Sequence, residues 1–177
     1  VGYSYDAQGR MKTMTNWSGF AGNTGTRVTT WIYDGYRGFL TNKVYDGNSA
    51  GPRYSYTAAG RLLARAWVRG TNTTYAYNIA GDLSGVDYSD STTDVTYGYD
   101  RRGRQTAITN GAAICTLIYN DASQLLVETN SGGTLNGLAV TNAYDSWLRR
   151  AAVALRNQSA TLNQFGYDNA SRLSSVT

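Results

Sequence analysis

The chain of 177 residues has no histidine. This removes the commonest general base, the usual serine triad and most zinc or copper sites. There is one cysteine, Cys115, in the apolar run Ala113-Ile114-Cys115-Thr116-Leu117. A lone cysteine forms no intrachain disulfide, and those neighbours argue against an activated thiolate. Proline occurs once, as Pro52, and glutamate once, as Glu128. Charged residues make up 16% of the chain, low for an ordinary globular domain. No apolar run reaches membrane-spanning length and no secretory leader pattern is present. No segment promises a helix: Leu62 to Val68 and Ala151 to Leu155 have the propensity but sit between turn signals, so both read as strands.

What the chain does have is tyrosine, fifteen in all. Eight of them anchor one recurring unit: Tyr5, Tyr33, Tyr56, Tyr77, Tyr99, Tyr119, Tyr144 and Tyr167, spaced by 28, 23, 21, 22, 20, 25 and 23 residues. The clearest copies are Tyr3-Ser4-Tyr5-Asp6-Ala7-Gln8-Gly9-Arg10-Met11, Tyr54-Ser55-Tyr56-Thr57-Ala58-Ala59-Gly60-Arg61-Leu62 and Tyr97-Gly98-Tyr99-Asp100-Arg101-Arg102-Gly103-Arg104. A period in this range signals a repeat architecture.

Each unit reads aromatic-x-Tyr-Asp-x-x-Gly-Arg-Leu. Aromatic-x-Tyr has period two and places both rings on one face of a strand. Asp-x-x-Gly is turn chemistry: the aspartate accepts from backbone ahead of it and the glycine tolerates positive φ. Together they predict a hairpin on a type I turn with a glycine bulge. Arg69-Gly70, Asn110-Gly111 and Asn130-Ser131-Gly132-Gly133 supply the opposite turns. Two strands per repeat predict about sixteen strands, all-β, in one continuous curved strip of antiparallel hairpins.

The copies are imperfect. Arg37 and Gly38 exchange order after Tyr33-Asp34. Asn78-x-x-Gly81-Asp82 follows Tyr77. Ser123-Gln124 replaces Gly-Arg after Tyr119, and Asp145-Ser146-Trp147-Leu148-Arg149 lacks glycine after Tyr144. The last copy runs Tyr167-Asp168 to Arg172-Leu173. Insertions at Trp17 to Arg27, Asp46 to Arg53 and Gly132 to Ala139 read as edge loops. Equivalent tyrosines lie two strands apart, about 10 Å. Leu62, Leu83, Leu125 and Leu173 are therefore expected to fill the space between them.

The recurrence of Tyr-Asp-x-x-Gly-Arg-Leu resembles the YD repeats of RHS-repeat proteins. These include bacterial polymorphic toxins, the C components of Tc toxin complexes, wall-associated proteins and teneurins. The resemblance covers nearly all of residues 1–177. It implies a single array, part of a longer hollow β-shell of an extracellular or cell-surface protein, with an effector enclosed in bacterial members. The expected partners are the rest of that shell, the effector, and other copies through open edge strands. The resemblance carries no activity onto a residue here, since the sequence has no Asp-Pro-x-Gly cleavage motif and no non-repetitive C-terminal domain.

No catalytic, cofactor or metal site is expected. The repeat-signature residues Tyr5, Asp6, Gly9, Arg10, Tyr33, Asp34, Tyr56, Gly60, Arg61, Tyr77, Gly81, Tyr99, Asp100, Gly103, Arg104, Tyr119, Tyr144, Asp145, Tyr167, Asp168 and Arg172 are read as structural. The acidic run Asp87 to Asp94 matches no calcium-loop spacing and reads as a polar loop. The net charge of +4 comes from arginines spread one near each turn, which reads as solvated turn residues rather than a nucleic-acid stripe. Trp17, Trp31, Trp67 and Trp147 leave open a second reading, adhesion by stacking on sugar or peptide. Sequons occur at Asn16, Asn72, Asn157 and Asn169.

Overall fold

The computed structural model describes residues 1–46, 49–156 and 162–177; the sequon at Asn157 lies outside them. The chain is all-β, with sixteen antiparallel strands and one 3-10 turn, Phe20–Gly22. The strands are β1 Gly2–Tyr5, β2 Met11–Gly19, β3 Thr24–Tyr33, β4 Leu40–Tyr45, β5 Ser49–Tyr56, β6 Leu62–Ala66, β7 Asn72–Tyr77 and β8 Leu83–Tyr88. They continue as β9 Val95–Tyr99, β10 Gln105–Asn110, β11 Ala113–Tyr119, β12 Leu125–Ser131, β13 Ala139–Tyr144, β14 Arg150–Arg156, β15 Leu162–Tyr167 and β16 Leu173–Val176.

Two compact units are distinguished. One comprises Val1–Ala76 with Asp87–Thr92, the other Tyr77–Val86 with Thr93–Thr177. Within each, successive strands pair antiparallel in chain order. Leu62–Ala66 and Arg150–Arg156 are strands, as their flanking turns require.

Two of the three insertions differ from expectation. Trp17 to Arg27 extends the β2–β3 ladder, with Trp17 opposite Thr26 and Gly19 opposite Thr24. Thr-rich sequence can continue a pleated ladder wherever its partner strand is equally long. Most of Asp46 to Arg53 belongs to β5, where Ala50 faces Val44 and Arg53 faces Asn42. Among the described residues of the insertions, Gly132 to Leu138 is the one that runs as a loop over its length, as expected. There Asn130 and Ser131 remain in β12, and the left-handed turn positions are Gly132, Gly133 and Gly137.

The registers separate two faces. In the first unit Tyr3, Tyr5, Met14, Trp31, Tyr33, Lys43, Tyr54, Tyr56 and Arg65 share one face. Ser4, Thr13, Thr15, Val28, Thr30, Asn42 and Ser55 share the other. In the second unit Tyr97, Ile108, Cys115, Leu117 and Val140 oppose Thr96, Ala107, Thr109, Thr116, Thr129 and Thr141. One face is thus large and aromatic, the other small and β-branched.

Neither face holds a closed core. Val86 and Ala139 are the buried members of the aliphatic and aromatic set, at 6% and 5% exposure, and no large side chain falls below 2%. With so little apolar burial among the described residues, order must come from backbone ladders and from contacts between successive repeats.

Candidate functional site: the clasp between repeats

The repeated turn is built alike each time. In the first copy Asp6 N–H donates to Arg10 O at 2.9 Å and Gly9 N–H to Asp6 O at 3.0 Å. Asp6 Oδ1 accepts from the backbone N–H of Gln8 and Arg10 at 3.0 and 2.9 Å. Gly9 has φ +76°. The ladder then slips by one residue beside the tyrosine, and the same bulge recurs next to Tyr5, Tyr33, Tyr56, Tyr119, Tyr144 and Tyr167. This is the glycine-bulge hairpin that the motif predicts.

Copies without glycine keep the geometry at a cost. Ser123, Leu148 and Ser171 occupy the same position at φ +63°, +62° and +59°. A left-handed conformation costs a non-glycine residue about 1–2 kcal/mol. Leu148→Gly is therefore expected to raise stability by about 1 kcal/mol after the larger unfolded-state entropy of glycine is deducted. Urea denaturation measures it; an unchanged or lower midpoint would refute the strain. The hydrogen bond that Leu148 O accepts from Gln124 Nε2 uses backbone and survives the change.

The glycine-first copy is one residue longer. Asp34 Oδ1 receives the N–H groups of Tyr36, Arg37 and Gly38, and Gly38 takes the positive φ of +71°. The pair flanking each turn changes identity while its complementarity is kept. Arg10, Arg104, Arg149 and Arg172 each give Nε–H to the aspartate four residues earlier at 2.6–2.8 Å. Asn78 Nδ2 instead donates to Asp82 at 3.1 Å, and Asn120 Nδ2 to Gln124 at 2.9 Å.

Within each unit, two kinds of bond cross between successive repeats. First, the anchoring tyrosine donates its hydroxyl to the carbonyl that starts the previous return strand. Tyr33 reaches Met11 O at 2.9 Å, Tyr56 Leu40 O at 2.8 Å and Tyr99 Leu83 O at 2.8 Å. Tyr119 reaches Gln105 O at 2.8 Å, Tyr144 Leu125 O at 3.1 Å and Tyr167 Arg150 O at 2.8 Å. Second, the signature arginine lies on the next tyrosine and bonds the next turn. Arg10 sits 4.3 Å from the Tyr33 ring centre and donates to Gly38 O at 3.1 Å. Arg104 sits 4.8 Å from Tyr119 and donates to Asn120 O at 2.9 Å. Arg149 sits 4.4 Å from Tyr167 and donates to Ser171 Oγ at 3.1 Å.

The expectation of solvated arginines describes Arg27, Arg69, Arg102 and Arg172, at 55–80% side-chain exposure, but not the three that reach the next repeat. The side chains of Arg10, Arg104 and Arg149 are only 33%, 23% and 24% exposed. Where Arg and Gly exchange places, the work is divided. Arg37 bonds Thr57 O and Ala58 O, and Phe39 packs on Tyr56 with ring centres 4.7 Å apart. Of the leucines, Leu62, Leu125 and Leu173 pair with Tyr56, Tyr119 and Tyr167, and Leu173 stays 57% exposed, while Leu83 and Leu125 also accept through their carbonyl oxygens. The guanidinium suits its place on the next tyrosine because it is flat, stacks on a phenol and still donates at its rim.

Electrostatics follows from this wiring. Partial desolvation pushes the Asp6, Asp100 and Asp145 carboxyls upward. The backbone N–H groups and arginines that they accept from outweigh it and hold them below the ordinary 3.8. The backbone N–H of Arg172 leads the same effect at Asp168. A depressed carboxyl adds stability that is fully present above 3.8 and lost as pH falls through the lowered value. Acid unfolding is thus expected to steepen below pH 3.8 and to flatten when Asp100→Asn removes one such group. A pH series of urea midpoints reads it, and superimposable profiles would count against the clasp. Tyr99 titrates above 10.0, mainly through burial and then through Asp82.

The remaining candidates take structural positions. Burial pushes the Cys115 thiol up, and Glu128 beside it adds to that, the reverse of thiolate activation. In the acidic run Asp90 accepts from Arg69 at 3.3 Å and from Thr92 N–H at 3.0 Å.

No protein-family model matches the chain, and no curated protein matches it. Solved structures do. The crystal structure of TcdB2-TccC3-TEV aligns with TM-score 0.73 and 18% identity over 96% of this chain and 10% of that one. The Photorhabdus luminescens Tc holotoxin pore with a mutated TccC3 aligns at 0.73 and 18%, over 97% and 10%. TcdB2-TccC3 aligns at 0.69 and 16%, over 94% and 11%. The chain spans about a tenth of those chains. Its fold is the β-hairpin array found within these Tc toxin components.

Proposed function

We propose that this chain is a non-enzymatic wall segment of a YD-repeat β-shell, belonging to an exported bacterial protein that encloses or scaffolds an effector. The observation that carries this reading is the clasp. Within each unit its tyrosine joins successive repeats, with an arginine beside it at Arg10, Arg104 and Arg149, and these side chains are engaged in holding one repeat to the next. A barrier needs this property: each repeat is locked to its neighbour without a second layer. The fold shared with Tc toxin components supports the reading, as does the resemblance of the motif to YD repeats. Location outside the cell and association with the rest of a shell belong to the same proposal. Among the described residues no helix is long and apolar enough to cross a membrane.

The test uses the full-length parent. Limited proteolysis should leave a protected fragment, unrelated to the repeats, that co-purifies with them and becomes digestible once the shell is unfolded. A parent whose every non-repeat segment is cleaved at the native-state rate would overturn the proposal. The adhesion reading loses support at two of its four tryptophans, since Trp31 and Trp67 already carry cations on their rings.

A further inference from the structure

One row on the aromatic face of the first unit has charges with no counter-charge. Trp31 on β3 lies opposite Lys43 on β4, and Lys43 Nζ stands 5.2 Å from the indole centre. Tyr54 on β5 lies opposite Arg65 on β6, with the guanidinium carbon 5.6 Å from the phenol ring. The same carbon is 3.4 Å from the centre of the Trp67 ring. Trp67 is fixed in turn, since its Nε1–H donates to Thr73 Oγ1 at 2.9 Å and Thr73 is 3% exposed. Across four adjacent strands the face therefore carries two aromatic–cation pairs, stepped by two residues between Lys43 and Tyr54, and Trp67 stacks on the second.

The two cations lack what every clasp arginine has. Among the described residues neither Lys43 nor Arg65 meets a carboxylate or any hydrogen-bond acceptor; both are held by rings alone, and Arg65 Nε is buried without a partner. The neighbouring acids are engaged elsewhere: Asp46 holds Arg27 and Asp90 holds Arg69. Arg69 also flanks Trp67, at 5.5 Å, with its charge met by Asp90. A ring-stacked guanidinium keeps its rim donors free for a planar anion.

We propose that the row Trp31–Lys43–Tyr54–Arg65–Trp67 is a binding surface for an extended acidic polypeptide segment running across the strands. Lys43 and Arg65 stand two strands apart and two residues out of register, since Asn42 faces Arg53 and Tyr54 faces Arg65, which is about 12 Å on the diagonal. A polyproline-type peptide brings every third side chain to one side at about 9 Å, and the length of the glutamate, lysine and arginine side chains spans the remaining few ångströms, so acidic residues at every third position reach both cations. Two cations without counter-charge favour an anionic partner over a neutral glycan. The surface goes beyond the wall reading and does not depend on it.

The test is fluorescence anisotropy on the 177-residue chain. The probe is a labelled Pro/Ala-rich peptide with glutamate at every third position, and the control peptide has glutamine there. The glutamate peptide should bind, and more weakly as salt rises. Lys43→Gln and Arg65→Gln should each weaken it about tenfold. Arg53→Gln, on the opposite face, should leave affinity unchanged. Lys43→Gln removes a charge whose ring partner is Trp31 and leaves the Arg65–Trp67 stack in place, so it keeps the test decisive if Arg65→Gln does not fold. Three results would each overturn the proposal: equal binding of both peptides or of neither, an Arg53→Gln loss as large as that of Lys43→Gln, or tighter binding of polygalacturonate than of the peptide.

Discussion

Gly132→Val is expected to lower the unfolding free energy by roughly 3 kcal/mol. Two independent penalties meet there. Gly132 has φ +67°, a region that a β-branched residue avoids. A Cβ added to it also falls onto the carbonyl oxygen of Ala112, in the neighbouring turn. That neighbour is backbone and cannot swing aside as a side-chain tip can. Gly103 separates the two penalties, because it has φ +77° and open space within 4 Å of where a Cβ would stand. Gly103→Val should therefore cost only about 1–2 kcal/mol. Urea denaturation of both variants gives the comparison. Equal losses would mean that the close approach at Ala112 contributes nothing.

Tyr99→Ala is expected to cost about 3 kcal/mol and Tyr99→Phe about 1 kcal/mol. The phenylalanine removes only the hydroxyl that donates to Leu83 O at 2.8 Å, leaving that carbonyl short of one donor. The alanine also removes the ring that covers the repeat junction. The difference between the two variants measures ring packing, and the phenylalanine alone measures the bond between repeats. If Tyr99→Phe matches wild type while Tyr99→Ala does not, the junction is held by packing and the hydroxyl bond is incidental.

Much of the architecture was legible in the residues. Tyr-Asp-x-x-Gly specified the turn because each group has a local duty within five residues: the aspartate collects N–H groups and the glycine takes the left-handed position. Asn110-Gly111 marked a hairpin, and Asn110 does pair with Ala113 across it. The insertions were less legible. Trp17 to Arg27 and Asp46 to Arg53 contain the Gly, Asn and Asp that ordinarily mark loops. Trp17–Gly19, Thr24–Arg27 and Ser49–Arg53 are strand because a neighbour of matching length was available to pair with them.

The clasp was legible only in half. The i to i+4 relation of Asp6 and Arg10 lies within one motif, and it recurs visibly. Where the other end of Arg10 goes does not: its partners Tyr33 and Gly38 are 23 and 28 residues away, and only the lateral stacking of repeats brings them into reach. The same holds for Arg65, whose sequence neighbours are Ala64 and Ala66 and whose ring partners are set by cross-strand register.

By itself the sequence determined the period, the turn type and the two-faced alternation, since all three rest on forces acting within a few residues of the chain. The tertiary structure alone decided which groups meet across strands. It made the arginines connectors between repeats and left Lys43 and Arg65 on the aromatic face without a counter-charge. The physical reason is register: a slip of one residue exchanges the two faces of a strand, and that slip is fixed by a bulge whose partners lie on a different strand.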